Sequence, residues 1–144
     1  MTNLLTYLKY EKQLLKEMIV LAQKQQSALI KFNTNELDRI TSYQSEVSKS
    51  LKQAEEKRIK MLMSMFGVSR VEATNMRLSA IIEKMNKEDV LELETMKGEL
   101  NSLIGNLQHF NTLNRVLANR ARNSVREILT ILTNGTNNVC NVKV

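Results

Sequence analysis

Between Glu88 and Thr133 one face of the chain returns at alternating spacings of three and four: Leu93, Met96, Leu100, Leu103, Leu107, Phe110, Asn114, Leu117, Ala121, Ser124, Ile128 and Ile131. A period of 3.5 residues belongs to a helix whose seam faces another helix. The sequence holds no proline to interrupt it, and Gly98 and Gly105 each cost only about 1 kcal/mol against alanine. Unbroken, roughly 46 residues at about 1.5 Å each make a rod of about 70 Å. A compact domain does not bury a helix of that length. The rest of the chain must lie alongside it, or part of its face awaits a partner.

Nothing elsewhere in the 144 residues suggests a sheet: there are 4 glycines, no tryptophan and no alternating β-branched or aromatic runs. The chain reads as one all-α domain over 1–133, followed by a flexible tail at 134–144, where NGTNNVCNVKV shows no period. The formal charge is +6 and the pI about 9.6. Much of the excess is late, since from Leu100 onward Arg115, Arg120, Arg122, Arg126 and Lys143 stand against Glu127 alone. Such a balance suits an acidic partner, nucleic acid, an anionic membrane or simply a solvated helix face. A lone cysteine, Cys140, excludes an internal disulfide framework and fits a reducing compartment. The first residues lack a basic-then-apolar leader, and no window is apolar enough to span a membrane. The cytoplasm is the expected location, without membrane insertion.

A first helix is expected over about 3–32, with Leu4, Leu8, Glu11, Leu15, Met18, Ala22, Gln25 and Leu29 on its seam after Met1. A turn at 33–35 follows, with Asn33 and Glu36 spaced as a capping box and Asn35 equally placed to be the cap. The second helix runs to about Phe66, its seam carrying Leu37, Ile40, Gln44, Val47, Leu51, Ala54, Arg58, Met61 and Met65. So short a connection makes the two antiparallel neighbours. Gly67 terminates the second helix, and Ser69 with Glu72 opens a short one that reaches Met85. Asn86 caps the long helix, with Glu88 and Asp89 opposing its dipole. The predicted architecture is an elongated antiparallel helical bundle of three long helices and one short one, with coiled-coil-like packing.

Chemistry is sparse. One histidine, His109, beside seam residue Phe110, makes a histidine metal site or a Ser/His/Asp constellation improbable. The sequence has no HExxH, CxxC, GxGxxG or Walker A motif, and its carboxylates are scattered among lysines as in Glu55-Glu56-Lys57-Arg58. No enzyme activity, cofactor or metal is expected. Arg115, Arg122 and Arg126 form a stripe beside the long seam, but no aromatic follows Phe110, so a nucleic-acid interface is not expected. The run Met61-Leu62-Met63-Ser64-Met65-Phe66 suits either an adaptable surface or irregular packing at a bundle end. The sharper feature is surplus: Leu113, Val116, Val125, Leu129 and Leu132 widen the apolar face of the long helix. Its partner helices are too short to cover all of it, and uncovered apolar face marks an interaction site.

Leu4-x-x-x-Leu8-x-x-Glu11-x-x-Leu14-Leu15, then Ala28-Leu29, Asn33, Leu37 and Ile40, then Leu51, Glu55 and Arg58 resemble the first two helices of the FlgN family. Asn114-x-x-Leu117 followed by Ile128-Leu129-x-x-Leu132 is similar to that family's carboxy-terminal amphipathic helix. The resemblance implies a cytoplasmic chaperone of flagellar type III export. Such a chaperone binds hook-associated (hook-filament junction) proteins, prevents their premature assembly and delivers them to the export gate. It also implies that the partner-binding segment is 114–132, including Asn114, Leu117, Ala121, Val125, Ile128, Leu129 and Leu132. The chain departs from the family pattern in being more basic and in having no tyrosine after Tyr43. From the residues alone, a structural coiled coil whose long seam closes on a second copy is the alternative.

Overall fold

The computed structural model describes residues 2–135. Its elements are α1 (Thr2–Ile30), α2 (Thr34–Phe66), α3 (Arg70–Thr74), α4 (Leu78–Glu83) and α5 (Lys87–Gly135). The class is all-α, and the three long helices pack into a bundle. Of the tail expected at 134–144, the first two residues continue α5. Residues 136–144, with Cys140 and Lys143, and the seam position at Met1 lie outside the described residues.

Each boundary has a local cause. α1 ends through Phe32, which adopts a left-handed φ of 53°. The Asn33 amide donates back to Ala28 O at 2.9 Å and the Phe32 amide to Leu29 O at 3.3 Å, so the last turn's carbonyls are satisfied. Asn33 then caps α2, its Oδ1 accepting from the Glu36 amide at 3.1 Å. Gly67, at φ 61°, closes α2 in a conformation that costs glycine nothing. Ser69 and Glu72 form the reciprocal capping box that opens α3.

The segment expected as one short helix is two. The Asn75 amide turns back onto Val71 O and Ala73 O, and Arg77 is extended at φ −77°, ψ 148°. In an unbroken helix Leu78 would stand about 140° round the axis from Ala73, at about 100° per residue. The break lets Ala73, Met76, Leu78 and Ile81 all join one cluster. Burial overrides local propensity here.

α1 is the middle helix. It packs on α2 along one side and on α5 along the other, while no Cα of α2 comes within 8 Å of one in α5 among the described residues. Glu11 meets Arg58 and Gln25 meets Gln44, so α1 and α2 are antiparallel. Lys12 pairs with Glu99 and Asn114 reaches Ala22, so α5 runs parallel to α1. The pair α3–α4 carries the chain across one end, and the main core gathers there. Leu4, Leu62 and Leu93 are fully buried, with Leu5, Leu8, Ile59, Ala73, Ile81 and Met96 around them. Met61, Met63 and Phe66 pack against that core, and Lys84 Nζ lies 5.4 Å from the centre of the Phe66 ring.

Two polar layers interrupt the seams. In one, Arg58 Nε donates to both Glu11 oxygens at 3.1 Å. In the other, Gln25 Oε1 accepts from Gln44 Nε2 at 3.1 Å and from Asn114 Nδ2 at 3.2 Å, tying the three long helices together. Polar seam residues of this kind set register at some cost in stability.

The Glu11 carboxyl is held above its ordinary 4.5, because burial outweighs the opposing attraction and hydrogen bond of Arg58. Between 4.5 and that raised value the folded chain binds a proton that the unfolded chain releases. Stability from this group is therefore complete below 4.5 and is lost as pH rises through the folded value. Relative to a Glu11→Gln variant, the native chain should gain stability as pH falls from neutral towards that range. Urea melts at several pH values test this, and a difference that does not move with pH would show that burying Glu11 carries no such cost.

Candidate functional site

α5 outruns its supports. Asn114 Nδ2 donates to Ala22 O at 2.8 Å, which fixes the local register of α5 against α1. Eight residues further on α1 ends at Ile30, opposite the neighbourhood of Arg122, and α5 continues to Gly135. That leaves an overhang of about 20 Å at 1.5 Å per residue. Its apolar face is open to solvent: Val125 is 50% exposed, Ile128 57%, Ile131 70% and Leu132 56%.

The seven candidate residues divide at this point. Asn114 is buried, and Leu117 and Ala121 are half-buried in the seam against the rest of the bundle. They hold α5 down and do not offer a free apolar face. Val125, Ile128 and Leu132 are exposed and Leu129 is half-buried, so these four gather on the overhang. Thr130 and Thr133 turn their hydroxyls back to Arg126 O and Leu129 O, at 2.8 and 2.7 Å, leaving the leucines as the adhesive part of the surface. Arg120, Arg122 and Arg126 are exposed around the same segment and form no ion pair with a described residue.

A second surface had no advance notice in the sequence. Because α2 and α5 stand apart, an open trough runs between them with α1 as its floor. One stretch, of about 710 Å³, has Leu4, Leu8, Glu11 and Leu15 on the floor, with Leu51 and Lys52 on one wall and Lys97, Leu100 and Ile104 on the other. A further stretch of about 580 Å³ shares Ser48 with it and reaches Asn114, Arg115 and Ala118. Polar seam residues Glu11, Gln25, Gln44 and Arg58 mark where helices meet, and say nothing of a side left open.

Among the described residues no group of three or more His, Cys, Asp or Glu side chains converges as a metal site. No described helix is long and apolar enough to cross a membrane. His109 is exposed and makes an edge contact with Phe110, their rings 5.8 Å apart. The Glu11 carboxylate, 12% exposed, is engaged by Arg58. The geometry offers apolar and basic surface for binding. The family model described as FlgN protein matches residues 1–141 of the chain. No curated protein and no solved structure gives a significant match.

Proposed function

The chain belongs to the FlgN family, a family of flagellar export chaperones and not of enzymes, and on that premise we propose that it binds hook-associated proteins in the cytoplasm. Bound there, they are kept from assembling early and are delivered to the export gate. The single observation that carries this reading is the overhang of α5, which runs past the end of α1 with Val125, Ile128 and Leu132 exposed along it. The work requires no catalysis. Subunits that join end to end outside the cell carry apolar segments that must not meet inside it, and a reversible apolar surface occupies them. Each side chain of this size contributes about 1.5–3 kcal/mol on full burial, and these begin about half exposed, so affinity is useful without being irreversible.

Size-exclusion chromatography with light scattering, with and without a purified hook-associated protein, tests the proposal. A chain ended at Arg122 keeps Asn114, Leu117 and Ala121 in the seam and removes the overhang alone. A stable complex that this truncation loses is the expected result. Failure of the full chain to bind any hook-associated protein, together with a tight homo-oligomer, would replace the chaperone by a self-associating coiled coil.

A further inference from the structure

The trough between α2 and α5 has the form of a four-helix bundle with one place vacant. Three helices line it, and α2 and α5 are held apart by α1 between them. At the core end the fourth place is filled: Ala73, Met76, Leu78 and Ile81 of α3–α4 and their junction pack over Leu4, Leu62 and Leu93. Past α4 nothing in the described chain lies over the floor. Leu15, Met18, Leu51 and Leu100 are only half-buried there, and Ile104 is 42% exposed. The two stretches together extend along α5 from Lys97 to Ala118. That is about 30 Å, the length of a helix of about twenty residues.

We infer that this trough is a docking site for an acidic amphipathic helix of the exported client, laid in the vacant fourth position. The client's identity rests on the chaperone reading above; the chemistry of the site does not. Charge selects the occupant. Glu11 and Arg58 neutralise one another across the floor. Of the charges left, Lys52, Arg77, Lys97 and Arg115 stand against Glu55 alone. Acidic residues flanking an apolar stripe match such walls, and basic ones are repelled. A second copy offering the end of its own α5 is disfavoured for that reason, since that segment brings Arg120, Arg122 and Arg126 with only Glu127. The client would thus be held at two places, the overhang and the trough, and each engagement raises the effective concentration for the other.

The test uses the full chain with Lys52→Glu and Lys97→Glu combined, and separately Ile104→Ser, which removes apolar wall without adding charge. One probe is a purified hook-associated protein. The other is a synthetic peptide of about twenty residues with leucine at heptad a and d positions and glutamate beside them, alongside its lysine-flanked counterpart. Calorimetry should show the acidic peptide bound, weakening as salt is raised, with the lysine peptide unbound. The charge reversal should weaken both probes by about tenfold or more, at unchanged helix content. Ile104→Ser should weaken both by a smaller factor. A hook-associated protein that binds native and trough variants equally well would overturn the inference and leave the chaperone reading standing. If no hook-associated protein binds, that reading fails and the peptide decides: charge-selective capture lost in the variants upholds the trough, and no capture overturns it. A homodimer dissolved by the charge reversal would seat a second copy there and also overturn it.

Discussion

Leu129→Asp combined with Leu132→Asp is expected to lower affinity for a hook-associated protein by about a thousandfold, while leaving the circular dichroism of the chain nearly unchanged. Two leucines contribute about 1.5–3 kcal/mol each when fully buried, and a carboxylate forced into the same contact adds a desolvation penalty, so a loss near 4 kcal/mol is reached readily. The fold is spared because neither residue belongs to the main core: Leu129 is half-buried and Leu132 is 56% exposed. Aspartate has a weaker helix propensity than leucine and is disfavoured near a helix carboxy terminus, so the last turn alone should fray. Leu129→Ala with Leu132→Ala keeps propensity and charge, and should still cost tenfold or more, at about 0.8 kcal/mol per lost methylene contact. Titration calorimetry reads both. Undiminished binding by the aspartate pair would take the overhang out of the mechanism.

The largest effect on stability should come from the opposite end. Leu62 is fully exposed to core and not at all to water, and it belongs to the cluster that joins α1, α2, α3, α4 and α5. Leu62→Ala should cost about 2–5 kcal/mol, by transfer and by the cavity left behind. Against a total stability of about 5–15 kcal/mol for a single domain, that lowers the melting temperature by something on the order of 10 °C. An equivalent truncation at Ile128, 57% exposed, should move it little. Urea unfolding of the two variants measures the contrast. Equal losses would mean that the bundle is held along its whole length and not from its α3–α4 end.

Much of this fold is legible in the residues. The three-four spacing predicts α1, α2 and α5, and the cap residues Asn33, Gly67, Ser69 and Glu72 act as their side-chain chemistry demands. Helix geometry and capping are local, governed by neighbours within a turn, so a linear reading captures them. The split of α3 from α4 escaped it, because the reason for Arg77 to be extended is the position of Leu4, Leu62 and Leu93, which come from other parts of the chain. An amphipathic surplus late in α5 was also legible, but not which of its residues are spent on the bundle. Asn114 carries no label in the sequence saying that it bonds to Ala22, ninety-odd positions away; the pairing is a property of the assembled helices.

What the sequence determined by itself was therefore periodicity, helix ends and an excess of apolar face over available cover. The tertiary structure alone decided where that excess falls. By running α5 parallel to α1, and stopping α1 at Ile30, it divides the seam near Ala121 into a packed half and an overhanging half. By placing α1 between α2 and α5, it leaves a trough with basic walls. A heptad seam specifies that a helix will meet another, and its side chains are equally content with a neighbour on either side or in either direction. The choice is made by the connections and by which buried polar groups find partners, and both exist only once the chain has folded back on itself.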